Sequence, residues 1–184
     1  MIPAELAQGL RTTAAHSALV LDDTNSTAIL QDGSLGKGVS EVEVDRQETE
    51  NGSRLEIEHD GYVRRLGFKH RRIVLLSGDG RELRGEDVLL PAGRKRKSRE
   101  TPLTIRFHLG PDVEPTLTAD RQGALLRLAG GAMWQFRVGD GEIAVEESLW
   151  VDGDGRPHLS QQLAIHLVAG AGGANIGWML KKSS

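Results

Sequence analysis

Cysteine is absent from the 184 residues, which excludes disulfide scaffolds, thiolate zinc sites and cysteine nucleophiles. Aromatic side chains are scarce, 4% of the chain with a single tyrosine, so large rings do not dominate the packing. No apolar run reaches the roughly 18 residues of a membrane span. The start, Met1-Ile2-Pro3-Ala4-Glu5, lacks the basic region and apolar stretch of a secretory signal. No sign of charge prevails either. The 23 Lys+Arg against 26 Asp+Glu give a net charge of -3, unlike the strongly basic balance of a dedicated nucleic-acid binder. Glycine is the residue in excess, at 23 positions against a usual share of about 7%. Many glycines with few rings imply many turns and short elements. The length is that expected of one domain, residues 1–184, with residues 1–11 as an N-terminal arm.

The apolar residues alternate. Val42 and Val44 stand between acidic neighbours, as do Leu55 and Ile57 between charged ones. Ile105, Phe107 and Leu109 share one face while Arg106 and His108 share the other; Trp134, Phe136 and Val138, then Ile176, Trp178 and Leu180, repeat the pattern. Period two marks strands with one buried face. Turn signals separate the runs: Asp32-Gly33, Gly78-Asp79-Gly80, Gly130-Gly131, Gly139-Asp140-Gly141 and Asp152-Gly153-Asp154-Gly155. Only Pro3 to Arg11 has the pattern of a short helix. The expectation is an all-β chain, a two-layer antiparallel β-sandwich of about ten strands with less than roughly a tenth of its residues helical.

Charge is segregated. Residues 1–60 carry 12 acidic and 4 basic side chains, whereas residues 61–108 carry 13 basic and 5 acidic. The middle third therefore forms a basic surface, densest at Arg94, Lys95, Arg96, Lys97 and Arg99. Five like charges within six residues repel one another and resist burial, so an exposed, mobile loop between two strands is expected there. Facing a cleft, it would hold a polyanion; facing away, it is a solubilising surface. Without aromatics beside it to stack on bases, polysaccharide suits it better than nucleic acid.

Local catalytic signatures are missing. The six histidines, His16, His59, His70, His108, His158 and His166, form no His-x-His or His-x-x-x-His pair. No Gly-x-Ser-x-Gly occurs. Asp22-Asp23 and Glu146-Glu147 are adjacent, and neighbours on a strand point to opposite faces, so neither pair is a ready acid–base dyad. For Glu146-Glu147 one exposed and one paired carboxylate is expected, and His108 beside Arg106 reads as a surface or groove side chain.

The segment from Arg11 to Asp23, Arg-Thr-Thr-Ala-Ala-His-Ser-Ala-Leu-Val-Leu-Asp-Asp, resembles the Arg-x-Thr-x-Ala-His-Asn-Thr-x-x-Val-Asp motif of the heparinase II/III-like polysaccharide lyases. His59-Asp60-Gly61-Tyr62, then Gly67 and the run His70 to Leu75, resemble a strand pair of that family's C-terminal region. Asp79-Gly80, the stretch Leu83 to Asp87, Arg106 to Leu109 and Glu146-Glu147-Ser148 follow in the family's order. The resemblance implies an antiparallel β-sandwich preceded by an α/α toroid, with a uronic-acid polysaccharide cleaved by β-elimination in the cleft between them. That chemistry needs a base, an acid and a stabiliser of developing carboxylate charge; in the family, a tyrosine and a histidine or asparagine of the toroid supply most of it.

The chain then corresponds to the sandwich portion, inactive without an upstream toroid, its partners being an acidic polysaccharide and that toroid, with no nucleic acid. By the motif, His16 is the counterpart of a zinc ligand. The companion ligands of relatives lie in His-x-His-Ala-Asp and Asp-x-Gly stretches that would precede Met1, and Ser17-Ala18 replaces the usual Asn-Thr. No cofactor is therefore expected in this chain by itself, zinc belonging to the full-length family context. The family setting implies the cell envelope or periplasm. The alternative is a non-catalytic β-sandwich that binds an anionic polysaccharide or a partner protein.

Overall fold

Alternation becomes strands wherever one face can be buried. The structure is a computed structural model that describes residues 3–93 and 100–183, of which strand accounts for 57% and helix for 7%. In chain order the strands are β1 (Leu19–Leu21), β2 (Val42–Thr49), β3 (Gly52–His59), β4 (Phe68–Ser77), β5 (Glu82–Pro91) and β6 (Thr101–His108). There follow β7 (Val113–Leu117), β8 (Gly123–Leu128), β9 (Met133–Val138), β10 (Ile143–Val151), β11 (Pro157–Ala169) and β12 (Ala174–Lys182). The described residues thus hold twelve strands, more than the ten expected. β1 and β7 are among those that escape a period-two reading. β1 is a continuous Leu-Val-Leu triplet buried throughout, and β7 is an edge strand interrupted by Pro115.

Two antiparallel sheets result, a small one in the order β1-β6-β11-β10 and a large one in the order β2-β3-β4-β5-β12-β9-β8-β7. The turn signals fall where the sequence puts them, with Gly80, Gly131, Gly141 and Gly155 all at positive φ. Leu103 and Ile105 of β6 and Leu163 and Ile165 of β11 join Leu126, Phe136, Ile176 and Trp178 of the large sheet in one core. Each such burial is worth about 1.5–3 kcal/mol. Four strands cannot cover eight, so β2 stays exposed along its length.

Two short helices frame the functional surfaces. α1 (Ala4–Gly9) and a 3-10 turn at Thr13–Ala15 precede β1 and lie against the outer face of the small sheet. The Nε2 of His108 on β6 hydrogen-bonds Ala14 O at 3.0 Å, and the His108 N–H donates to Ser17 Oγ at 3.0 Å. α2 (Val63–Leu66), which the alternation does not signal, ends at Gly67, whose left-handed φ of 80° supplies the C-cap.

Candidate functional site

The outward positions of β6, β11 and β10 form a polar strip on the small sheet. The register sets His108 opposite Gln162 and Arg106 opposite Ala164, with Glu146 opposite Gln162 and Ser148 opposite Ser160. Part of the strip is saturated. His166 Nε2 hydrogen-bonds Glu146 Oε1 at 2.8 Å, and Gln162 Nε2 donates to Glu146 Oε2 at 2.9 Å. Burial pushes the Glu146 carboxyl pKa up, but these two bonds and the Arg106 charge outweigh it and hold the pKa below its ordinary value. Glu147 is exposed, so the expected split between a paired and an open carboxylate is what the fold makes.

The other part is not saturated. Among the described residues, Arg106 Nη1 and Gln162 Oε1 are buried polar atoms with no hydrogen-bond partner. Each orphan of this kind costs about 1–3 kcal/mol. Both residues line a cleft of about 550 Å³ between the N-terminal arm and the strip, together with Ala14, His108 and Ser148. His108 is held on both sides. Ala14 O can only accept, so Nε2 carries the ring proton and Nδ1 accepts from the Ser148 hydroxyl at 2.8 Å. Burial, then the Arg106 and His16 charges, push the His108 pKa down against the pull of Ala14 O, leaving the ring neutral at pH 7. With both nitrogens engaged, His108 positions the cleft wall. Arg106 offers a donor suited to a carboxylate and Gln162 an acceptor suited to a hydroxyl.

A second constellation lies between the sheets and is complete. Asp87, fully buried, accepts from His70 Nε2 at 2.8 Å, Arg72 Nε at 2.8 Å, Arg72 Nη2 at 2.9 Å and Trp178 Nε1 at 2.9 Å. Burial raises the Asp87 pKa, but His70 and Arg72 more than cancel that and keep it lowered. His59 Nε2 and His70 Nδ1 are 3.2 Å apart, and Gly61 N–H donates to His59 Nδ1 at 3.2 Å. The chain therefore runs Gly61 to His59 to His70 to Asp87, with the proton of each ring on Nε2. Burial, then the neighbouring His70, pushes the His59 pKa down to about 4. Gly85 makes room for this cluster, because a Cβ there would stand 2.1 Å from the Trp178 ring. The single tyrosine, Tyr62, is also buried, its hydroxyl donating to Leu19 O at 2.8 Å.

The motif around His16 folds mostly into staples. Arg11 donates to Gly33 O, Thr12 Oγ1 donates to Gly9 O at 2.7 Å, and the Thr13 N–H donates to Asn25 Oδ1 at 2.9 Å. His16 stands exposed at the end of the 3-10 turn, and its charge reaches His108. Among the described residues no three His, Asp or Glu side chains converge as a metal site. One exposed imidazole does not match zinc, which takes about four ligands in structural sites. Arg94, Lys95, Arg96, Lys97 and Arg99 lie outside the described residues. The sequence pattern marks His108, beside Arg106, as a surface or groove side chain and does not mark Gln162, whose only signal is its outward phase on β11. No helix among the described residues is long and apolar enough to cross a membrane.

Comparison with known proteins bears on this geometry. Residues 2–179 match the family model described as heparinase II/III-like, C-terminal. A relative from Caulobacter vibrioides, FtsZ-localized protein C, is 31% identical over 92% of this chain and 33% of its own length. Among solved structures, the heparan sulfate lyase HepC from Pedobacter heparinus superposes with a TM-score of 0.78 at 15% identity, over 98% of this chain and 26% of the lyase. A heparinase III gene product gives 0.75 at 14% identity, over 98% and 25%. The chain thus spans about a third of the curated relative and about a quarter of the lyases, and the structural likeness speaks for the fold.

Proposed function

The chain belongs to the heparinase II/III-like C-terminal family, and from that premise we propose that it is the glycan-holding β-sandwich of a uronic-acid polysaccharide lyase. The observation that carries this reading is the orphaned pair in the small-sheet cleft, Arg106 Nη1 and Gln162 Oε1. A sugar acid supplies both missing partners, its carboxylate for the guanidinium and a ring hydroxyl for the amide oxygen. β-Elimination removes the C5 proton beside that carboxylate and expels the C4 oxygen, so a cation on the carboxylate stabilises the charge that develops. Arg106 fits that role. Base and acid must come from elsewhere. Tyr62 is buried, with burial pushing its pKa up to about 12, and both nitrogens of His108 are engaged. In this reading an α/α toroid supplies them, and the setting is the cell envelope. A second reading, a non-catalytic interaction module, is favoured by the FtsZ-localized relative.

The test is retention on immobilised heparin and alginate at low salt, with the same preparations assayed for unsaturated uronate. The chain should be retained, Arg106→Ala should weaken retention about tenfold, and neither should release unsaturated product. Equal retention of the two proteins would remove the cleft from the account. Product formed by the chain alone would show that its own residues suffice for the chemistry.

A further inference from the structure

An open sheet edge is a row of unpaired N–H and C=O groups, which folds ordinarily shorten, interrupt or cover. Three of the four edges here are treated in that way. β1 has three residues, β7 has five with Pro115 among them, and β10 lies against β7. β2 is the exception. It ends the large sheet with eight residues and contains no proline, glycine or lysine. The Asp60 N–H donates to Glu41 O at 3.3 Å, and the register runs on from Val42 opposite His59 to Thr49 opposite Gly52. Glu43, Asp45 and Gln47 are therefore the residues that bond β3, by the alternation of an antiparallel ladder. Val42, Val44, Arg46 and Glu48 turn N–H and C=O away from the sheet, and no described residue takes them.

The two faces of this edge differ in chemistry. On the face that Val74 turns to the core, Val42 and Val44 stand 57% and 63% exposed, beside half-buried Leu55 and Ile57. On the other face, Glu43 and Asp45 keep 74% and 59% of their side chains in water. From Glu41 to Glu50 five carboxylates stand against Arg46 as the single cation. A second copy of the chain does not suit such an edge. Antiparallel self-pairing centred on Val44 sets Glu43 opposite Asp45; centred on Asp45 or Arg46, it sets that residue opposite itself. Each of these registers places like charges directly across the strands, where they repel.

We propose that β2 is a docking edge for an extended basic segment of a partner polypeptide, which adds a ninth strand to the large sheet. In antiparallel pairing the added strand bonds the outward N–H and C=O groups of Val42, Val44, Arg46 and Glu48. Its apolar residues then lie across from Val42 and Val44, and its Lys or Arg residues lie across from Glu43 and Asp45. The recognised pattern is alternation of apolar and basic residues over about six to eight positions. The backbone supplies most of the affinity, and the carboxylates select the sign of the partner's charge.

The probe is a fluorescein-labelled peptide of four Lys-Val repeats, and fluorescence anisotropy reads its affinity for the full chain. It should bind saturably, and a Glu-Val peptide of equal length should bind about tenfold more weakly or worse. Methylating the valine backbone nitrogens, which face β2 in antiparallel pairing, should weaken the Lys-Val peptide about fivefold or more. Methylating its lysine nitrogens should not. Hydrogen exchange followed by NMR should show the amides of Val42, Val44, Arg46 and Glu48 slowing when the Lys-Val peptide is added. Glu43→Lys/Asp45→Lys should reverse the preference between the two peptides, and Arg106→Ala should change nothing, which separates this edge from the glycan reading. The methylated peptides test the proposal on the unaltered chain, so it does not depend on a variant that folds. No binding of the Lys-Val peptide, equal binding of the Glu-Val peptide, or undiminished binding after valine methylation would each overturn the proposal. So would sedimentation showing a dimer whose outward β2 amides are already slow, since a second copy would then hold the edge.

Discussion

The cluster around Asp87 and the strip around Arg106 are built from similar residues, and they differ in how completely their polar atoms are used. At Asp87, four hydrogen bonds from His70, Arg72 and Trp178 converge on one buried carboxylate. At the strip, Glu146 is satisfied by His166 and Gln162, yet Gln162 Oε1 and Arg106 Nη1 are left without partners among the described residues. A saturated network gains nothing from a ligand and serves to lock β4, β5 and β12 together. An unsaturated one in a cleft has binding capacity left over. Arginine and histidine in both places would look alike in a motif search; the accounting of donors and acceptors separates scaffold from site.

The sharpest way to break that contrast is at the saturated end. Asp87→Ala leaves the Arg72 charge and the His70 and Trp178 donors without their acceptor, and removing one partner of a buried pair costs about 3–5 kcal/mol. Urea unfolding should show the midpoint collapse. Arg106→Ala should behave oppositely, holding stability or raising it by up to about 1–3 kcal/mol, since it deletes an orphan rather than a bond. A stability loss at Arg106 as large as that at Asp87 would erase the distinction between the two regions.

Acid should affect the saturated region next. The His59 pKa of about 4 in the folded chain lies below its ordinary value of 6.5. As pH falls, the unfolded chain therefore takes up the proton first. The contribution of the neutral ring is complete above about pH 6.5 and drains away between 6.5 and about 4. Its loss follows from protonating Nδ1, which accepts the Gly61 N–H. His59→Gln should flatten the dependence of the urea midpoint on pH across that window; an unchanged slope would show that His59 is not its source.

The smallest effect is expected from the basic run. Neutralising Arg94, Lys95, Arg96, Lys97 and Arg99 together should lower glycan retention at low salt and do little at physiological strength, where the Debye length is about 8 Å. A loss exceeding that of Arg106→Ala at both salts would move the site from the cleft to the run.

Much of this architecture was legible in the residues. Alternation at Ile105–Leu109 and Trp134–Val138 gave strands with a buried face, whereas the same alternation at Val42–Val44 gave a strand exposed on both faces, and the glycine signals gave the turns. β1 was not legible because burial on both faces removes alternation. α2 was not, because its four residues are set by Tyr62 burial and the Gly67 cap rather than by any period. The motif from Arg11 to Asp23 lends Ala14 and Ala15 to the cleft wall, while its Arg11 and Thr13 staple the arm. Gln162 was invisible as a site residue, since an outward glutamine on a strand becomes notable only when its carbonyl is seen to lack a donor.

The central claim is that the unsaturated atoms of the small sheet are completed by a sugar acid. The most direct measurement is an NMR titration of the chain with a heparin tetrasaccharide, following the Arg106 guanidinium and Gln162 side-chain amide signals. Both should shift together and saturate at one ligand concentration, with the Trp178 indole N–H on Asp87 unmoved. Binding that leaves Arg106 and Gln162 unshifted, or shifts that persist for the rest of the cleft in Arg106→Ala at unchanged affinity, would contradict the account.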